Sequence, residues 1–173
     1  MKLSIIKKMK ITSQEEYGLR ILLRIAKCRD KEGMTIQSLA AAEGLSLPYV
    51  AKLTRMLRIE GYINSTPGNK GGYILARSAD QINVNQVLKI LGGSLFNKSF
   101  CDDYSGILKF CTNSVDCSIR SLWQMIQITV DQVLDKVTLY DLIGTEMKSD
   151  QMLNAIIEQN IKTSLASGSN IVL

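Results

Sequence analysis

The stretch that decides the fold is Leu45-Ser46-Leu47-Pro48-Tyr49-Val50-Ala51-Lys52-Leu53-Thr54-Arg55-Met56-Leu57-Arg58-Ile59-Glu60-Gly61. Its first four residues form a short turn, with Pro48 where the opening turn of a helix tolerates a missing N–H. A helix from about Leu47 to Glu60 follows, and Gly61 stops it. Val50, Leu53, Met56 and Leu57 share one face, while Tyr49, Lys52, Arg55 and Arg58 project from the others. Upstream, Thr35 caps a second helix, Ile36 to Glu43, which ends at Gly44. Further upstream, Thr12 and Ser13 precede Glu15 and Glu16 at capping-box spacing. Tyr17, Leu19, Ile21, Leu22, Ile25 and Ala26 then make a helical stripe ending near Cys28.

Downstream lie two short β-prone pieces, Gly61–Asn64 and Gly72–Leu75, separated by the turn-rich Pro67-Gly68-Asn69-Lys70-Gly71. Helix, tight turn, second helix and glycine-rich hairpin form the winged helix-turn-helix pattern. The expected class is therefore mainly α with a small β-wing. Asn83 or Asn85 caps a short helix through Leu91, ended by Gly92-Gly93, and residues 94–117 then lose periodicity. After Cys117, the residues Ile119, Leu122, Ile126, Val130, Val133, Val137 and Tyr140 follow the spacing of a helix packed lengthwise on another helix. Nothing else in the chain is long enough to cover that seam, which predicts a homodimer. Met152, Ile156, Ile157 and Ile161 predict one more amphipathic helix. The expected organisation is a DNA-binding unit over 9–80, a short helix and cysteine loop over 81–117, a dimerisation helix over 118–143 and an extension over 144–173.

Composition narrows the function. The chain has 173 residues, is 46% hydrophobic and carries a formal charge of +5. Residues 1–80 hold 14 Lys/Arg against 7 Asp/Glu, and residues 81–173 hold 7 against 9. The cationic excess thus sits with the helix-turn-helix and points to a polyanion, double-stranded DNA first. In such a fold the second helix enters the major groove by its N-terminal end, here Ser46, Leu47, Tyr49 and Lys52. Lys52, Arg55 and the wing at Lys70 are the expected phosphate contacts, and Gly71 and Gly72 would let the backbone approach closely. A dimer of such units would read a roughly palindromic site.

Histidine is absent, which removes Ser-His and Cys-His catalysis and the commonest metal ligand. No nucleotide-binding glycine loop is present, so an enzyme is not expected. Apolar runs are too short for a membrane span or secretory signal, and Met9 offers a second start. The expectation is a cytoplasmic protein, in which clustered cysteines bind metal or sense redox state.

The sequence resembles the IscR/NsrR family of bacterial winged-helix transcription regulators. The resemblance rests on Met9–Ser13, Glu16-Tyr17-Gly18-Leu19-Arg20, Leu45–Val50 and Lys70–Leu75, and covers about residues 9–142. It implies a homodimeric repressor or activator, often with three loop cysteines holding an iron–sulfur cluster, here most simply 2Fe-2S. Departures are visible. Family members commonly space the cysteines five residues apart twice, whereas nine residues separate Cys101 from Cys111 and five separate Cys111 from Cys117. Pro67 and Ala51 stand where some relatives carry a wing arginine and an acidic base-reading residue, so the sequence recognised would differ.

Thiolates are the usual protein ligands of iron–sulfur clusters, and Cys101, Cys111 and Cys117 would supply three positions. The resemblance implies Glu16 as the fourth, reaching across the dimer, with Asp102, Asp103 and Asp116 as local alternatives. Zinc suits the same donors, and thiol redox switching needs no metal. Cys28, at the end of an apolar stripe, reads as an inert core thiol.

Overall fold

A computed structural model describes residues 11–67, 71–94, 96, 107, 110, 111, 113 and 115–166, with side chains as far as Thr163. Among these residues the order is α1 (Ser13–Lys27), α2 (Ile36–Glu43), α3 (Leu47–Ile59), β1 (Ile63–Ser65), β2 (Tyr73–Leu75), α4 (Val84–Gly92), α5 (Ser118–Leu134) and α6 (Glu146–Ala166). Short 3-10 turns occupy Ala79–Gln81 and Tyr140–Leu142.

Local chemistry accounts for the ends. Thr12 is the N-cap of α1, and its N–H donates to the Glu15 carboxylate at 2.8 Å. The capping box therefore uses Thr12 and Glu15, which leaves Glu16 out of it. Arg24 and Lys27 in the last turn of α1 complement the helix dipole. The Thr35 side chain accepts from Ser38 N–H at 3.0 Å to open α2, and Gly44 closes it in the left-handed region at φ 65°. β1 and β2 pair antiparallel, Ile63 opposite Leu75 and Ser65 opposite Tyr73. Met34 bridges Tyr73 on the other side, which ties the α1–α2 connection to the wing.

The core gathers Ile21 and Leu22 of α1, Leu39 of α2, Val50, Leu53 and Leu57 of α3, Ile63, and Val87 and Leu91 of α4. Glu43 belongs to the same interior, with its side chain only 2% exposed. Arg20 Nε and Arg24 Nε donate to its two oxygens at 2.6 and 2.5 Å. One carboxylate thus clamps α2 to two successive turns of α1.

The helix after Cys117 ends sooner than its apolar spacing predicts. α5 stops at Leu134, and Val137 and Leu139 are buried in the winged-helix unit. Val84 N–H donates to Val137 O at 2.9 Å, and Leu139 N–H to Ile82 O at 2.8 Å. Asn83 Nδ2 donates to Asp135 O at 2.8 Å, which covers an end carbonyl of α5. These pairings with the start of α4 outweigh another turn of helix. Tyr140, also expected on the seam, lies exposed in a 3-10 turn. Beyond it α6 packs against the C-terminal end of α5, with Asn160 Nδ2 donating to Gln132 O at 3.4 Å.

Candidate nucleic-acid interface and cysteine segment

α3 is amphipathic, and its packing fixes which side chains face outward. Val50, Leu53, Thr54 and Leu57 are buried, leaving Ser46, Leu47, Pro48, Lys52, Arg55 and Arg58 exposed. The N-terminal end of α3 borders a cleft of about 500 Å³ shared with α2 and the wing. Leu47, Pro48 and Ala51 line it from α3, Gln37 from α2, and Ser65, Thr66 and Gly71 from the wing.

The residues singled out by sequence divide within this frame. Ser46 and Leu47 stand free at the start of α3, and Arg55 is exposed one turn after Ala51. Tyr49 is half-buried, its ring edge-on to Tyr17 at 6.2 Å between centroids and its hydroxyl 3.5 Å from Ser13 Oγ. Lys52 Nζ donates to Gln14 Oε1 at 2.8 Å. Gly71 is exposed but Gly72 is buried. A Cβ at Gly72 would lie 2.6 Å from Glu32 O. Gly72 N–H donates to Thr66 Oγ1 at 2.7 Å, and its carbonyl accepts from Thr66 N–H at 2.9 Å. The glycine is thus demanded by packing of the wing against the α1–α2 connection, a reason different from the close approach to DNA expected of it. Lys70 lies outside the described residues.

Gln14, Gln37, Ser65 and Thr66 escaped the sequence reading. None carries charge or a motif, and only the fold brings them beside α3. The sole available signal was the position of Gln37 in the first turn of α2, next to the helix that enters DNA in this class.

Of the cysteines, Cys111 and Cys117 are half-buried and free of disulfides. Cys117 is the N-cap residue of α5, and its carbonyl accepts from Arg120 N–H at 3.1 Å. Arg120 Nη2 donates to Asn113 O at 3.2 Å and so ties the segment to the helix. Cys101, Asp102 and Asp103 lie outside the described residues, and Asp116 is exposed. Glu16 lies on the exposed side of α1, 3.8 Å from Arg20, with its side chain 57% exposed. Cys28 is half-buried at the C-cap of α1, which places it at the rim of the core and not in it. The described residues alone hold no group of three metal-ligating side chains.

α4 joins the two regions. Asp131 of α5 accepts from Asn85 at 2.9 Å, from Gln127 at 2.9 Å and from Lys89 at 2.8 Å. Burial opposes ionisation of Asp131, yet the hydrogen bonds from Lys89, Asn85 and Gln127 outweigh it and hold the carboxyl below the usual aspartate range. Gln127 Oε1 also accepts from Phe96 N–H at 2.9 Å, near the start of the cysteine segment.

Comparison with known proteins agrees with this arrangement. Residues 11–145 match the Rrf2 family model, described as an iron-dependent transcriptional regulator. Protein rrf2 of Nitratidesulfovibrio vulgaris is 35% identical over 135 residues, covering 78% of this chain and 87% of that one. The solved structure of CymR, the global cysteine regulator of B. subtilis, superposes with a TM-score of 0.60 at 31% identity over 77% of this chain and 95% of that one. T. potens IscR gives 0.59 at 30% identity over 77% and 85%. These relatives are transcription regulators and not enzymes, and the winged helix is the fold they share. The chain belongs to the Rrf2 family of DNA-binding transcriptional regulators.

Proposed function

We propose that this regulator is a cytoplasmic homodimer whose affinity for a roughly palindromic operator follows the chemical state of Cys101, Cys111 and Cys117. The observation that carries the DNA-reading half is the outward face of α3. Ser46, Leu47, Lys52 and Arg55 stand exposed beside the cleft and the wing. Leu47 and Ala51 offer apolar contact to base edges, while Lys52, Arg55 and Lys70 neutralise phosphates. Tyr49 acts through its ring, held by Tyr17, which orients the first turn of α3.

What supports the dimer is α5. It buries no residue within the single chain, and Ile119 and Leu122 are 60% and 46% exposed at the head of the seam that continues through Ile126, Val130 and Val133. A second copy would cover that face and set two recognition helices at half-site spacing.

The donors suit an iron–sulfur cluster. Cys111 and Cys117 present accessible, unpaired sulfur atoms on one segment, and Cys101 adds a third thiol. Glu16 is exposed, which fits an oxygen ligand brought across the dimer. Such a cluster supplies sensitivity to oxidants, nitric oxide and iron supply. The protein's part is to hold the segment between α4 and α5 and to pass its state to α3.

A second reading, thiol oxidation without a cluster, is favoured by the same unpaired Cys111 and Cys117. Anaerobic purification separates the two. A brown protein with bound iron and sulfide is expected for the cluster, and a colourless one after reconstitution leaves the thiol switch. For the DNA-reading half, binding to promoter fragments should weaken steeply as salt rises. Indifference to salt, or no binding in either cysteine state, would sink the proposal.

A further inference from the structure

Four observations converge on the junction between the start of α1 and the end of α4. Gln14, in the first turn of α1, accepts from Lys52 Nζ at 2.8 Å with its Oε1. Its Nε2 donates to the backbone carbonyl of Leu91, in the last turn of α4. Both halves of one amide are therefore engaged, one toward the recognition helix and one toward the helix that runs into the cysteine segment. The junction is also tight. A Cβ at Gly18 would sit 2.5 Å from Leu91 Cδ1, and one at Gly92 would sit 2.0 Å from Cδ of Glu15. Glu15 cannot swing away cheaply, because it closes the cap of α1.

From this we infer that Gln14 is a positioning residue. It fixes Lys52 of the recognition helix relative to the end of α4, so that displacement of α4 is delivered to the DNA-reading face. The inference rests on reading Lys52 as a DNA contact and deepens that reading with a route of regulation. α4 is held on its other side through Asn85 and Lys89 to Asp131, and Asp131 reaches Phe96 by way of Gln127. The route from segment to α3 thus has a polar contact at each step. A lysine ammonium on a four-carbon stem samples many positions when untethered. Tethered, it presents its charge at one point, which sharpens discrimination more than it raises general attraction to DNA.

The test uses the full chain and two probes, a duplex that it selects from a random library and an unselected duplex of equal length. Gln14→Leu removes both hydrogen bonds and keeps the side chain's bulk. It is expected to weaken binding to the selected duplex about three- to tenfold, the worth of one ordered hydrogen bond, with the unselected duplex changed less than about twofold. In a Lys52→Met background the same substitution should change nothing further. Gly92→Ala, which acts from the α4 side, should reproduce the loss and its disappearance with Lys52→Met, and serves if Gln14→Leu fails to fold. A Gln14→Leu protein that matches wild type on both probes overturns the inference, as does a loss that adds in full to that of Lys52→Met. Wild-type protein that shows no salt-dependent binding to either duplex would instead strike the DNA-binding reading itself.

Discussion

Glu43 shows how much a single side chain can be asked to hold. It is an acid in a nearly closed position, and both of its oxygens are taken by arginines of the preceding helix. The arginines are themselves about half exposed, so water screens part of the attraction. Glu43→Gln keeps the shape but offers one acceptor to two cations. A loss of about 1–3 kcal/mol is expected from denaturant melts, with α1 and α2 loosened together. Gly72 makes a second case. Because its missing Cβ leaves room for the backbone of Glu32 and Gly33, Gly72→Ala should cost about 1–3 kcal/mol by overpacking. A melting temperature equal to wild type would refute that packing role.

Among elements, those with local signals were legible from sequence. Thr35, Gly44 and Pro48 each satisfy or forgo a backbone hydrogen bond at a helix end, and such chemistry is carried by residues a few places apart. The outward face of α3 followed from the same periodicity except at Tyr49, which packs half-buried against Tyr17. The end of α5 did not. Val137 keeps the spacing of the seam, and only its pairing with Val84, more than fifty residues earlier, takes it out of the helix. Gln14 was equally silent, since an uncharged polar side chain on an amphipathic helix carries no message until its neighbours are known. The contact between α4 and α5 has its own signature in pH. Asp131 has a lowered pKa in the folded chain. Its contribution is therefore complete above the range where an unfolded aspartate ionises, about pH 4, and is lost as pH falls through the lower folded value. Wild type should exceed Asp131→Asn in stability at pH 6, and the gap should narrow as pH is lowered past the range where an unfolded aspartate ionises, about pH 4. Chemical denaturation across that range checks it, and a constant gap would contradict the assignment.

At the scale of the molecule, the proposed assembly runs through the apolar seam of α5, whose Ile119 and Leu122 are exposed. Ile126→Glu with Leu122→Asp places two charges on the face proposed to meet a second copy. Sedimentation should then show a monomer, with circular dichroism unchanged and operator binding weakened at least tenfold through loss of the second half-site. A dimer that survives both changes would move the interface elsewhere.

Helices α4 and α5 run antiparallel, joined at one end by the pairing of Asn83 with Thr138 and of Val84 with Val137. At the opposite end, Gly93 leaves α4 and Cys117 opens α5, so the cysteine segment is the chain that connects the two tips. With the Thr138 end pinned, a pull on the Cys117 tip would act on α5 as on a lever. At about 1.5 Å per residue the 17-residue α5 is an arm of about 25 Å. A change of about 2 Å in the distance spanned between the tips would turn one helix against the other by about 5°. Under the proposed control by the cysteines, chemistry confined to a few sulfur atoms would in this way become an angle.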